Sequence, residues 1–168
     1  MKELVCSGLP IWLDVKEMRL EFRDGLACRS SGGKGAVEMR GLLMNEDGVD
    51  GSVHCYDFYR DVAFEGDREL LQKYGYRYDI TAIAPGTING EYIKNSGHYH
   101  GYIEGKGQPY PEIYEVIHGE LFFIMQKSKN FDNPDEEPVI ESAKAVRVTA
   151  GQAIVVPPFY AHCAVNIG

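Results

Sequence analysis

The chain has 168 residues, 44% hydrophobic and 25% charged, with a formal net charge of −8 at pH 7; that is enough for one domain with a core of its own. The acidic balance, with no basic run, excludes a general nucleic-acid binder but leaves room for an anionic small substrate beside a local metal. No apolar run approaches membrane-spanning length, the start MKELVCSGLPIWLDV is broken by Pro10 and Asp14 and is not a signal peptide, and Cys6, Cys28, Cys55 and Cys163 form no CxxC, so a soluble cytoplasmic protein with reduced thiols is expected.

Nineteen glycines and eight prolines among many Val, Ile, Tyr and Phe lean toward β-structure rich in turns. Residues 1–64 read as an irregular extension with short strands. Met18–Phe22 and Val37–Leu43 carry strand-like patterns, and Gly25, Gly32-Gly33 and Asn45–Gly48 are turn signals. Asp67–Tyr74 predicts the one clear helix, with Leu70, Leu71 and Tyr74 at helical spacing and Gly75 as its stop. Tyr76–Ile83 predicts a strand ending in the turn Ala84-Pro85-Gly86.

Residues 65–168 then read as a run of strands and turns. Glu91–Lys94 leads to Gly97 and His98-Tyr99-His100, and a polar loop spans Glu104–Pro111. Glu112–Ile117 and Leu121–Gln126 are strands about the turn at Gly119. Lys127–Glu137, with Pro134 and Pro138 nearby, is an exposed loop or hairpin tip. Ala145–Thr149 alternates, Gly151 turns into the strand Ala153–Val156, and Pro157-Pro158 ends it. Short strands at this spacing predict a sandwich or closed barrel.

His98 and His100 are two apart, which on a strand puts both imidazoles on one face. Alone, such a pair is as often two hydrogen-bonded histidines as a metal site. Glu112 and Glu115 compete to join them; their odd spacing sends them to opposite faces, so only one can point inward. His162 by itself reads as a turn histidine. His54 and His118 read as structural or surface residues.

The whole arrangement resembles the cupins. That family pairs HxH, then Glu and six residues to Gly, with Gly, five residues, Pro, then His and Asn. Here these are His98, His100, Glu112 and Gly119, then Gly151, Pro157, His162 and Asn166. Two departures are the long segment between His100 and Glu112 and Phe159, where many cupins have glycine. The resemblance implies an all-β cupin jelly-roll barrel over 65–168, one short helix, and the 1–64 extension packed on the barrel or at a dimer interface. It also implies one divalent metal on His98, His100, Glu112 and His162. Three imidazoles and a carboxylate suit Fe(II) first, with Mn(II), Ni(II), Zn(II) and Co(II) as alternatives.

Longer stretches narrow the resemblance. Tyr78-Asp79-Ile80-Thr81, Pro85-Gly86-Thr87, Glu91-Tyr92-Ile93-Lys94 and Gly97–His100 are similar to the cupin-type glucose-6-phosphate isomerases. So are Tyr110–Gly119 and Val156–His162 running on to Gly168. The similarity covers about residues 66–168. It implies interconversion of glucose 6-phosphate and fructose 6-phosphate by a homodimer. An enediol route needs a base, for which Glu112 is the nearest carboxylate, while a hydride shift leaves it only a ligand; Tyr114 shares its face by alternation and reads equally as a residue that positions a sugar hydroxyl or proton-relaying water and as a core tyrosine. The resemblance places the substrate phosphate on Thr81, Asn95, Ser96 and Gly97, with Lys94 as a nearby charge; Asn95 stands where a threonine is usual. It also implies a further strand beyond Asn166-Ile167-Gly168, so a shortened or reduced C-terminus is expected here. The rival expectations are a metal-dependent cupin oxygenase or decarboxylase and a non-catalytic sugar-binding cupin.

Overall fold

The structure is a computed structural model that describes residues 1–133 and 135–168; Pro134, assigned above to a loop, lies outside them. The described residues are mostly strand, with one short α-helix. They form six small antiparallel sheets and no single closed barrel. Two compact units divide the chain, Met1–Ile93 and Lys94–Gly168.

In the first unit, β1 (Lys2–Glu3), β2 (Ile11–Asp14) and β3 (Arg19–Phe22) form a meander. Ile11 and Leu13 are buried while Trp12 and Asp14 are only half so, the alternation a one-sided sheet requires. Two further strands, β4 (Leu26–Ala27) and β5 (Ser30–Gly35), precede β6 (His54–Arg60) and β7 (Ala63–Phe64). Next come α1 (Arg68–Lys73) and β8 (Ile80–Ile83), and β6 pairs with both β5 and β8. The hairpin β9 (Thr87–Ile88) and β10 (Glu91–Tyr92) closes through Asn89-Gly90. Both turn residues have positive φ, 50° and 86°, as a two-residue hairpin loop with the right twist demands.

Three expectations are corrected in this unit. Gly32 and Gly33 do not turn; they lie within β5, opposite Phe58 and Asp57. A Cβ on Gly32 would stand 2.7 Å from the Phe58 ring, and one on Gly33 would stand 2.3 Å from Asp57 Oδ1. The glycines let neighbouring side chains lie over the strand. Val37–Leu43 is a series of turns, not a strand. Met39 within it and Ala36 just before it are buried, three apart, and Gly41 sits at φ 83°. The helix forms where expected and stops at Gly75, with φ 70°, but Leu70 and Tyr74 are exposed, at 56% and 63%. Helices this short are held by tertiary contacts; here Arg68 supplies them, donating to Glu65 and to the carbonyls of Asp61 and Ala27.

In the second unit, β11 (Glu112–Glu115) and β12 (Glu120–Ser128) are followed by β13 (Ile140–Thr149), β14 (Ala153–Val156) and β15 (Tyr160–Asn166). β11 pairs with β14, and β12 lies between β13 and β15. Phe123 and Met125 of β12 are buried, at 1% and 5%, while Phe122 and Ile124 are exposed. The inner face therefore carries Phe123, Met125 and their partners across the ladder, Ala164 and His162. Burying one such side chain contributes roughly 1.5–3 kcal/mol. A register shift at Lys127/Ser128 buries Ser128, whose hydroxyl donates to Asn130 Oδ1 at 2.8 Å; bulges of this kind re-aim a strand end.

Candidate metal centre

His162 is not in a turn. It lies in β15, opposite Met125, 2% exposed. Its backbone exchanges two hydrogen bonds with His98: His98 N donates to His162 O at 3.2 Å, and His162 N donates to His98 O at 3.1 Å. This antiparallel bridge sets the two imidazoles side by side, with ring centroids 4.6 Å apart. His100, two residues on, brings its ring to 5.4 Å from His98 and 5.0 Å from His162.

β11 supplies the carboxylate. Glu112 and Tyr114 are half-buried while Ile113 and Glu115 are exposed, so the pleat turns Glu112 inward and Glu115 out. Glu112 Oε2 lies 3.0 Å from His100 Nε2 and 3.2 Å from His162 Nε2. One ligand atom from each of His98, His100, Glu112 and His162 lies within 4.8 Å of all the others.

Whether these residues suit a cation is decided by where their protons go. His100 Nδ1 is 2.9 Å from the Tyr110 carbonyl, and His98 Nδ1 is 3.3 Å from the Ser96 carbonyl. A carbonyl only accepts, so in both rings Nδ1 carries the hydrogen and the neutral ring keeps its lone pair on Nε2. A lone pair on His100 then faces the Glu112 carboxylate. The distance is that of a hydrogen bond, but Glu112 Oε2 is buried with no aligned donor. Acceptors converging on a common space, His98 and His100 each held from behind by a backbone carbonyl, are what metal-ligating histidines present. The four residues fit a divalent ion. Burial and the adjacent His162 also hold His98 below the ordinary imidazole value, so its lone pair is available at neutral pH. Burial alone would push the Glu112 carboxyl up. When no ion is bound and the close imidazole nitrogens carry a proton, they and the Tyr114 hydroxyl outweigh it and hold the group well below the usual carboxylate range.

Tyr114 Oη sits 2.9 Å from His162 Nε2, and its ring packs on Phe123 at 4.9 Å. The hydroxyl thus stands beside the ligand atoms, on the Glu112 face. Of the expected phosphate residues, Asn95 is buried, and its Oδ1 accepts the Ala164 N–H at 2.7 Å; that half of the amide is committed to holding the Lys94–Gly97 segment on β15. Lys94 bridges Val165. Gly97 is exposed, and a Cβ there would meet nothing nearer than 3.5 Å, so packing within the chain does not demand glycine. Ser96 positions His98 through its carbonyl. Thr81 lies in the first unit, on β8 opposite Phe58. His54 pairs with Asp57 at 3.0 Å, and His118 is exposed on a bend.

Sequence reasoning missed an aromatic cluster flanking the HxH segment. Phe131 packs on Tyr99, Tyr102 and Phe159 at 5.1, 6.0 and 5.6 Å. These residues are far apart in sequence and follow no period; the one signal was Phe159 in a place favouring glycine. Its φ is 70°, so the left-handed backbone persists without the glycine, at a cost of order 1–3 kcal/mol, and the ring is what the site gains.

A family model described as Glucose-6-phosphate isomerase (GPI) matches residues 33–168. The chain is similar to the protein named glucose-6-phosphate isomerase of Thermococcus litoralis, 22% identical over 157 residues. That match covers 90% of this chain and 71% of the relative. With the protein of the same name from Thermococcus onnurineus it is 28% identical over 126 residues, covering 75% of this chain and 52% of the relative. With that of Pyrococcus furiosus it is 26% identical over 91 residues, covering 54% and 40%. The chain thus spans only about half the length of some of the relatives it matches. With the match reaching over His98, His100, Glu112 and His162 together with Tyr114, all of β11 and β15, and most of the first unit, the chain belongs to the glucose-6-phosphate isomerase family.

Proposed function

We propose that the protein is a metal-dependent aldose–ketose isomerase interconverting glucose 6-phosphate and fructose 6-phosphate. The observation that carries this reading is the convergence of His98, His100, Glu112 and His162 with the Nδ1 atoms of His98 and His100 tied back to carbonyls. Family membership supplies the substrate class. A divalent ion held there, iron first among the metals, would stabilise negative charge developing on a substrate's adjacent oxygens.

The reaction moves one hydrogen between C1 and C2 of the open-chain sugar while the carbonyl changes carbon. Glu112 and Tyr114 share the inner face of β11 and offer a carboxylate and a hydroxyl to that proton traffic. The aromatic cluster around Phe131 packs on Tyr99, between the two histidines. Lys94, Ser96, Gly97 and the amide nitrogen of Asn95 are our phosphate donors, and Thr81 keeps the phosphate role that the resemblance gives it. A soluble cytoplasmic homodimer completes the reading. No described helix is long and apolar enough to cross a membrane.

The test is a coupled isomerase assay on chelator-stripped protein with Fe(II), Mn(II), Ni(II), Zn(II) and Co(II) returned one at a time. Activity with fructose 6-phosphate restored by metal supports the reading. A protein that binds metal yet isomerises neither sugar phosphate would refute it.

A further inference from the structure

The first unit holds a second concentration of chemistry that the isomerase reading does not use. Arg29, Arg60, Arg68 and Arg77, with Gln72 and Tyr76, line a cavity of about 350 Å³. In a chain of net charge −8, four guanidiniums around one cavity call for a count of their partners. Asp61 Oδ2 faces both Arg29 Nε at 3.0 Å and Arg68 at 3.3 Å. Asp79 Oδ2 faces both Arg60 and Arg77, each at 2.9 Å, while its Oδ1 is taken by the Asp61 N–H at 2.9 Å. Each carboxylate is thus shared between two arginines. Among the described residues one other acid pairs with the group, Glu65, 92% exposed, which meets Arg68 from outside. The cluster keeps a net positive charge.

The arginines also divide by role. Arg68, 15% exposed, spends Nε and both terminal nitrogens on Glu65 and backbone carbonyls; it is structural. Arg60 is steadied by the Phe58 ring, 4.8 Å away, and gives one terminal nitrogen to Asp79. Arg29 and Arg77 are 70% and 67% exposed, and each meets its aspartate through a single nitrogen. Three planar forks that line the cavity therefore have more N–H donors than these aspartate contacts use, and guanidiniums are suited to phosphate recognition. The volume is in the range of small-molecule sites rather than of a bare ion, and Tyr76, 71% exposed, supplies an aromatic wall for the organic part.

We propose that this cavity binds a small organic phosphate, with Arg29, Arg60 and Arg77 holding its phosphate or diphosphate group, at a site separate from the metal centre. The inference does not rest on the isomerase reading. Its test is a calorimetric titration of the whole chain with inorganic pyrophosphate, in chelator so that no metal contributes, with backbone amide shifts followed by NMR. Saturable binding is expected, with shifts at Gln72, Tyr76 and Arg77. Arg29→Gln and Arg77→Gln should each weaken it about tenfold or more. Both residues are exposed, so folding survives, as circular dichroism will check. Arg23→Gln, which removes a charge engaged by Glu21, should change affinity less than about twofold. Absence of saturable binding at millimolar pyrophosphate overturns the proposal. So do shifts confined to the His98–His100 segment, or an Arg23→Gln loss equal to the other two.

Discussion

The two units use carboxylates in opposite ways. In Lys94–Gly168 one half-buried carboxylate, Glu112, stands among imidazoles, two of which keep their ring proton on Nδ1, toward a backbone carbonyl, and leave Nε2 a lone pair. In Met1–Ile93 two carboxylates, Asp61 and Asp79, stand among guanidiniums that cannot give theirs up. The first arrangement offers electron pairs and the second positive charge. The difference lies less in the acids than in whether the surrounding bases keep a lone pair, and it separates a cluster that fits a cation from a cavity lined by cations within one chain.

The comparison breaks most sharply at the histidines. His98→Ala, His100→Ala or His162→Ala should abolish tight metal binding and isomerase activity together, measured by elemental analysis and the coupled assay. Arg77→Gln should leave metal content intact. Metal loss in the arginine variant would show that the two arrangements are not separable. Glu115→Ala should retain metal and Glu112→Ala lose it; the reverse result would invert the face assignment of β11.

Next in size is the phosphate end. Lys94→Ala should raise KM for fructose 6-phosphate more than it lowers kcat, since phosphate binding is common to ground and transition states. A charged hydrogen bond of about 1.5–3 kcal/mol corresponds to a roughly ten- to hundred-fold fall in kcat/KM. A change confined to kcat would remove Lys94 from substrate binding.

A smaller effect tests the first unit's packing. Gly33→Ala places a methyl 2.3 Å from Asp57 Oδ1 and 2.9 Å from the His54 ring, and overpacking of this kind costs roughly 1–3 kcal/mol. Denaturant midpoints should fall while metal content per folded chain stays constant.

The smallest is the response of metal-free protein to acid. His98 titrates below its ordinary value and Glu112 below its own, so for both the unfolded chain binds more protons. Stability from Glu112 is present above the ordinary carboxylate value and lost on acidification; His98 adds a loss as pH falls through the ordinary imidazole value. The melting temperature should fall as pH drops from 7 to about 4, and Glu112→Gln should flatten the lower part of that curve. An unchanged curve would mean that Glu112 is not held ionised by its neighbours.

Much of the grouping of His98, His100 and Glu112 was legible in the residues. HxH spacing put His98 and His100 on one side, and alternation separated Glu112 and Tyr114 from Glu115, because strand periodicity is local. The resemblance then supplied His162, which its own neighbours had marked only as a turn histidine. Its place in β15 depends on β12, whose Met125 lies opposite, and on the backbone bridge to His98; both partners are more than thirty residues away.

Local chemistry alone determined the alternating strands, the Asn89-Gly90 hairpin, the helix stop at Gly75 and the residue types able to hold an ion, for these depend on backbone freedom and period. Tertiary structure decided what depends on a distant neighbour. Gly32-Gly33 became strand because Phe58 and Asp57 lie over them. Asn95 was drawn onto Ala164, and Phe159 was held at positive φ within an aromatic cluster. Arg29, Arg60, Arg68 and Arg77, spread over nearly fifty residues, were gathered at one cavity by sheet pairing and a six-residue helix. No sequence period records such a gathering, because charges brought together by long-range pairing leave no mark on their own neighbours.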